Sequence, residues 1–342
     1  MSKSFAAWVV DKATDKSDAA NGGGVRELTT DDLPPVDGPS VLIEVECSSL
    51  NYKDALACQG HPGVVNRFPH VPGIDCAGRV LESDSASFAP DDPVLVTGYD
   101  LGAARWGGYS GLVRVPADWP VSIKDRLSPA QAMAYGTAGF TAAQCVMAVQ
   151  RCVEPGRGDV LVTGATGGVG VYAVAILAKL GYRVVAVTGK PAQADTLRGL
   201  GAAEVVGRDV LEGESDAPLL SERWAAAVDT VGGAPLATLV RSIRHRGVVA
   251  ACGLVAGAEL PLTVYPFILR GVTLAGVDSA KCPREPRLEV WRRLSGPWRV
   301  DLPQELVDTV TLDELPDAVA RILSGRHVGR TLVRPTSEAA LR

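Results

Sequence analysis

Between Val160 and Gly170 the chain reads Val-Leu-Val-Thr-Gly-Ala-Thr-Gly-Gly-Val-Gly, an apolar β-branched run that breaks into glycines and passes straight into a helical pattern. Few architectures accept that order. Glycines let the backbone turn tightly and approach a diphosphate, and the following helix offers unpaired N–H groups and its positive dipole end to the anion. Glycine triplets also occur in ordinary loops, so the flanks decide. Residues 159–163 read as a buried strand, 169–180 as an apolar helix stopped by Gly181, and 183–187 as the next strand. A complete βαβ unit therefore surrounds the turn, and it assigns Thr166, Gly167, Gly168, Val169 and Gly170 to a dinucleotide's phosphates.

The end of the second strand selects the dinucleotide. An NAD site places a carboxylate roughly 20 residues past the glycines for the ribose hydroxyls, whereas the 2′-phosphate of NADP needs hydroxyls and cations. Here the tip is Thr188-Gly189-Lys190, and no carboxylate follows before Asp195. Arg208, just beyond the third strand at 204–206, faces the same end of a doubly wound sheet. NADPH is the expected cofactor; the plain alternative for Lys190 and Arg208 is solvated surface charge.

With 342 residues, 46% hydrophobic and 21% charged, the chain is long enough for two domains. A net charge of −5 offers no basic field for nucleic acid or anionic membrane. No apolar run approaches the ~18 residues of a membrane span, and the start lacks a signal-peptide pattern, so a cytoplasmic protein is expected. Seven scattered cysteines with no Cys-x-x-Cys pair, and four histidines, favour reduced thiols over disulfides or a zinc cluster.

Short strands at 41–47, 78–81, 93–97 and 111–115, separated by Gly, Pro and Asp, suggest a compact β-rich first part. The polar stretch 12–24 reads as a hairpin tip or loop. From 128 onward a helix leads into the glycine turn, and strands at 226–229, 247–251 and 272–276 complete a six-strand set. Residues 286–342 read as helices and a last strand at 331–333 that returns to the first domain. The expected fold is α/β, a Rossmann doubly wound parallel sheet over 129–280 plus a β-rich domain over 1–128, completed by 281–342.

Five phrases occur in the order of the medium-chain dehydrogenase/reductase superfamily: Asn51-Tyr-Lys-Asp54, Pro72-Gly-Ile-Asp75-x-x-Gly78, Trp106-Gly-Gly108, Gly136-Thr-Ala-Gly-Phe-Thr-Ala142, and the glycine run itself. Ala251-Cys-Gly-Leu254, Pro266-Phe-Ile-Leu-Arg270, Gly276-Val-Asp-Ser279 and Gly329-Arg-Thr-Leu-Val333 resemble its NADPH-dependent acrylyl-CoA reductase branch, which is quinone oxidoreductase-like. The resemblance implies a GroES-like catalytic domain, a Rossmann domain inserted before its last segment, cofactor in the cleft between them, an acyl-CoA substrate and a homodimer. It also implies cofactor contacts from Tyr52, Thr137, Leu254, Ile268 and Ser279. For Thr137 the alternative is a helix cap, and for Leu254, Ile268 and Ser279 it is core packing.

Zinc alcohol dehydrogenases carry ligands in Cys-His-x-Asp and Gly-His-Glu phrases; here these read Asn51-Tyr-Lys-Asp54 and Gly73-Ile-Asp75, so a zinc-free enzyme is expected. A conjugated alkene beside a thioester needs no metal, because a hydride can add at the β carbon and leave an enolate for N–H or O–H donors to stabilise. Tyr52, a phenol with an aromatic face, is the residue expected nearest the chemistry, with water as an alternative proton source and Asn51 as a second candidate. Asp54 and Asp75 read as orienting groups. Arg284, Arg287, Arg292, Arg293 and Arg299 read as either a coenzyme A phosphate patch or, preferably, a solvated helix face partnered by Glu285 and Glu289. Trp106 is either a cover for the acyl chain or a core anchor. A quinone or enone reductase and a non-catalytic NADPH-binding sensor remain as competing functions.

Overall fold

A computed structural model describes residues 2–12, 23–212 and 217–335. The chain divides into two compact units, Met1–Thr137 with Ala280–Glu289 and Pro303–Arg342, and Ala138–Ser279 with Val290–Leu302. Most of the stretch 12–24 lies outside the described residues.

The first unit is organised by its longest strand, Ser40–Leu50, whose alternating β-branched and apolar residues are nearly all buried. It pairs antiparallel with Asp75–Ser83, Leu112–Pro116 and Arg330–Arg334. Pro93–Thr97 and Val121–Ser122 extend one side of the sheet, and Val307–Thr311 closes the other, parallel to Arg330–Arg334. Gly78 sits opposite Val45 because a Cβ there would stand 1.8 Å from the Glu44 carbonyl oxygen. One core face gathers Val41, Ile43, Val45, Val80, Val94 and Val96, each worth about 1.5–3 kcal/mol when fully buried. A hairpin, Ser4–Val9 with Gly24–Thr29, belongs to the same unit.

The second unit is a six-stranded sheet in the order Ala202–Val206, Val184–Val187, Val160–Val162, Trp224–Asp229, Ile243–Ala251, Thr273–Gly276, every neighbouring pair parallel. By chain order this is 3-2-1-4-5-6, the doubly wound arrangement, with its switch between the first and fourth strands. The central strands read as unbroken apolar runs because both faces are covered. The helix after the glycines runs Gly168–Lys179, capped by Leu180, with Gly181 in the left-handed region beyond it. The expected fold class holds. The strand at Val307–Thr311 and its βαβ link through helix Leu315–Leu323 are additions, since that segment carried no apolar run strong enough to mark it.

Candidate active site

In the second unit the glycines do distinct work. Gly164 takes φ +57, and a Cβ on it would meet Thr230 Oγ1 at 2.3 Å. A Cβ on Gly170 would stand 2.3 Å from the Gly164 carbonyl oxygen, so only glycine lets helix and strand pack this closely. Gly167 caps the helix in an extended conformation, and the first i→i−4 bond is Val171 N–H to the Gly167 oxygen at 3.0 Å. The amides of Gly168, Val169 and Gly170 thus stand at the helix start ahead of that bond, half-buried in the first two cases.

Beside the turn, the hydroxyls of Thr166 and Thr188 lie 3.5 Å apart, and the Lys190 N–H donates to Thr188 Oγ1 at 3.0 Å. The Arg208 guanidinium spans Gly189, where a Cβ would meet its Nε at 2.4 Å. Burial, and after it the positive charge of Arg208, hold the Lys190 ammonium below its ordinary pKa. Two cations gathered against their own repulsion fit a multiply charged anion, and the five residues from Thr166 to Arg208 that the sequence singled out here do converge.

Leu254, 65% exposed, lines an open recess of about 500 Å³ with Ala251, Cys252, Gly253, Gly276, Val277 and Asp278. These residues follow or end two neighbouring parallel strands, on the side where a doubly wound sheet takes ligands. Ser279 is half-buried three residues past the last strand. Ile268 is 67% exposed on the short helix Tyr265–Arg270, so core packing fails as the alternative for both Leu254 and Ile268.

In the first unit, Asn51 caps helix Tyr52–Cys58, and Asp54 returns a capping-box bond, accepting from the Asn51 N–H and Nδ2 at 2.9 Å each. Asp54 Oδ1 also takes the Ile74 N–H at 2.7 Å. Asp75, buried, accepts from Ser49 Oγ (2.6 Å), Asn51 Nδ2 (2.8 Å) and the Thr137 N–H and Oγ1 (2.8 and 2.6 Å). Burial, then the Asp75 charge, pushes the Asp54 carboxyl up to about 7 against the pull of its hydrogen bonds. Arg330, 2% exposed, donates to the Leu50 carbonyl and to Asn51 Oδ1 at 3.3 Å; among the described residues its Nη2 has no hydrogen-bond partner. Every polar atom of the Asn51 amide is thus occupied, while Tyr52, next in the chain, is 47% exposed. Thr137 spends its hydroxyl on Asp75 rather than capping a helix. Sequence reasoning passed over Ser49 and Arg330; for Arg330 the only signal was its place in Gly329-Arg-Thr-Leu-Val333.

The arginine cluster is neither of the expected things throughout. Arg287 is 1% exposed, donates to the carbonyls of Thr97, Ala280 and Cys282, and lies 4.0 Å over the Tyr99 ring, so it clamps its own unit. Arg284 binds the carbonyls of Asp118 and Pro120, and Arg293 covers the Trp298 ring at 4.7 Å. Arg299 pairs with Asp301. Trp106 is half-buried against an apolar cluster and donates to the Pro69 carbonyl, the anchor alternative.

Taken by fold and turn, this is a Rossmann-type dinucleotide-binding protein with a separate, largely antiparallel β unit. Comparison with known proteins refines the class. An alcohol dehydrogenase GroES-like domain model matches residues 37–125, and a zinc-binding dehydrogenase model residues 168–295. The acrylyl-CoA reductase AcuI of Ruegeria pomeroyi is 47% identical over 96% of this chain and 98% of its own length. The putative quinone oxidoreductase YhfP of Bacillus subtilis is 48% identical over 91% and 94%; a yhfP structure solved with NAD aligns at TM-score 0.91 and 45% identity, covering 97% and 99%. Escherichia coli YhdH with bound NADPH aligns at TM-score 0.88 and 42% identity, covering 96% and 100%. The chain belongs to the medium-chain dehydrogenase/reductase superfamily, in the branch holding acrylyl-CoA reductases and quinone oxidoreductase-like proteins.

The zinc in one of those family descriptions does not fit the residues at the expected ligand positions. Asn51 presents a saturated amide, and the Asp75 carboxylate already accepts four hydrogen bonds. Among the described residues, no group of three or more His, Cys, Asp or Glu side chains is arranged to hold a metal ion.

Proposed function

We propose that this protein is an NADPH-dependent reductase that converts acrylyl-CoA to propionyl-CoA without zinc. The observation that carries the reading is the hydrogen-bonded Asn51–Asp54–Asp75 cluster where a zinc enzyme keeps its ligands, in a chain alike over nearly its full length to an acrylyl-CoA reductase. Bound NADPH supplies the hydride for the β carbon of the alkene. Gly167, Gly168, Val169 and Gly170 seat its diphosphate with their amides and the helix start. Thr166, Thr188, Gly189, Lys190 and Arg208 hold the adenosine end, and the two cations favour NADPH over the NAD seen with YhfP. Leu254, Ile268 and Ser279 serve the nicotinamide end.

Tyr52 packs its ring on the nicotinamide and donates its O–H toward the substrate, as hydrogen-bond donor or proton source. Asn51 and Thr137, whose polar atoms bond Asp54, Asp75 and Arg330, act by fixing the Tyr52 turn. The second reading, a quinone or enone reductase, has the likeness to YhfP in its favour. NADPH oxidation assayed with acrylyl-CoA beside a simple quinone separates the two, and faster turnover of the quinone overturns the first. Tyr52→Phe is expected to lower kcat about 10²-fold, the lower end for a general acid, with an unchanged urea midpoint; an unaltered kcat removes Tyr52 from the chemical step.

We also read the chain as a homodimer. The support is an exposed apolar patch, Val264, Tyr265 and Leu269 with Ile268, and an outermost strand, Thr273–Gly276, with an open edge. Light scattering should give twice the chain mass, and Val264→Asp with Leu269→Asp should halve it. A monomeric wild type refutes this assembly. Among the described residues no helix is long and apolar enough to cross a membrane.

A further inference from the structure

The second unit contains two cysteines that the reaction leaves unused, and a hydrogen bond joins their thiols. Cys145 is fully buried in the later part of helix Pro129–Cys152. Cys252 directly follows strand Ile243–Ala251, is half-buried, and lines the recess that also holds Leu254 and Asp278. Its Sγ donates to the Asp229 carbonyl at 3.4 Å, and the Cys145 thiol hydrogen-bonds it. One of the pair therefore lines the recess while the other is fully buried.

We propose that Cys145 and Cys252 form a dithiol that hydrogen peroxide oxidises to a disulfide, and that a nucleotide occupying the recess blocks the oxidation. The blocking half rests on the cofactor reading above; the dithiol does not. Cys252 reacts first because it is the accessible sulfur, whereas its hydrogen bond and burial keep Cys145 protonated, well above the usual thiol range. The Cys252 thiolate attacks one peroxide oxygen, breaks the O–O bond, and becomes a sulfenic acid as the other oxygen leaves as water. Cys145 Sγ then attacks the Cys252 sulfur and expels its hydroxyl, which departs as water with the Cys145 proton. Two thiols lose two electrons and two protons, and one peroxide becomes two waters. Cys152, a free cysteine exposed on the same helix, serves as the internal control.

The test treats the whole reduced protein with hydrogen peroxide, with and without saturating NADP⁺, traps free thiols with N-ethylmaleimide, and maps peptides by mass. NADP⁺ binding is followed by a separate titration. The expected result is a linked peptide pair carrying Cys145 and Cys252, lighter by two hydrogens and separated by dithiothreitol. Its rate of formation should fall at least about tenfold with NADP⁺. In Cys145→Ser, Cys252 should proceed to the sulfinic acid instead. Recovery of Cys145 as a free thiol after Cys252 has been oxidised in the wild type overturns the dithiol. An unchanged rate with NADP⁺ demonstrably bound overturns the block, while failure of NADP⁺ to bind at all tells against the cofactor reading itself.

Discussion

Replacing Gly136 with alanine is expected to cost this protein about 3–5 kcal/mol, enough to consume a third or more of a typical domain's stability. Gly136 interrupts the helix Pro129–Cys152 at φ +48, ψ −153, a region that residues with a Cβ avoid. Holding alanine there costs about 1–3 kcal/mol in strain. The added Cβ would also sit 2.6 Å from both Asp75 Oδ2 and Ser49 Oγ, and 3.0 Å from Arg330 Nη2. Asp75 Oδ2 and Ser49 Oγ are hydrogen-bonded to each other in a buried network, so relief requires breaking a hydrogen bond to a buried carboxylate, about another 1–3 kcal/mol. Urea unfolding monitored by fluorescence reads the loss. Gly199→Ala, where a Cβ meets nothing within 4 Å, is the matched control and should leave the midpoint within error or raise it. A Gly136→Ala midpoint indistinguishable from wild type would contradict the packing described around Asp75.

The second large effect concerns nucleotide choice. The double substitution Lys190→Ala, Arg208→Ala should weaken NADPH about 10²–10⁴-fold and NADH by less than about threefold, because each charge-assisted contact contributes about 1.5–3 kcal/mol and NADH has no 2′-phosphate to lose. The low Lys190 pKa sharpens the expectation: an ammonium made unfavourable by burial and by Arg208 gains most when a dianion arrives. The single Arg208→Ala variant removes the repulsion as well as a contact, so its loss should be the smaller. Fluorescence titration of both nucleotides supplies the ratio. Equal weakening of NADPH and NADH would assign the pair to general phosphate attraction.

The nucleotide-binding half was legible because its information is local. Val160 to Gly170 specify a strand, a turn and a helix start within eleven residues, and the buried parallel strands announce themselves as continuous apolar runs. The strand Val307–Thr311 was not legible: Asp308 and Thr309 are exposed, and each of its residues pairs with one 23 positions on, in Arg330–Arg334. The arginines of 284–299 misled for a related reason. A sequence shows a charged helix, whereas burial of Arg287 depends on carbonyls at Thr97 and on the Tyr99 ring, nearly two hundred positions away. Tyr52 and Asn51 could be singled out by resemblance, but the division of labour between them could not. It emerges only once Asp54, Asp75 and Arg330, which lie on three separate chain segments, are seen to consume the Asn51 amide.

The Arg330–Asn51 contact joins residues 279 positions apart. Vectorial synthesis at the ribosome therefore delivers this polar partner of the Tyr52 turn 279 residues after Asn51 itself. The nucleotide-binding sheet, all of whose strands lie between Val160 and Gly276, can collapse while its upstream companion still waits for its closing strand. A nascent chain stalled short of Arg330 would carry an assembled dinucleotide fold attached to a β unit that cannot yet be sealed.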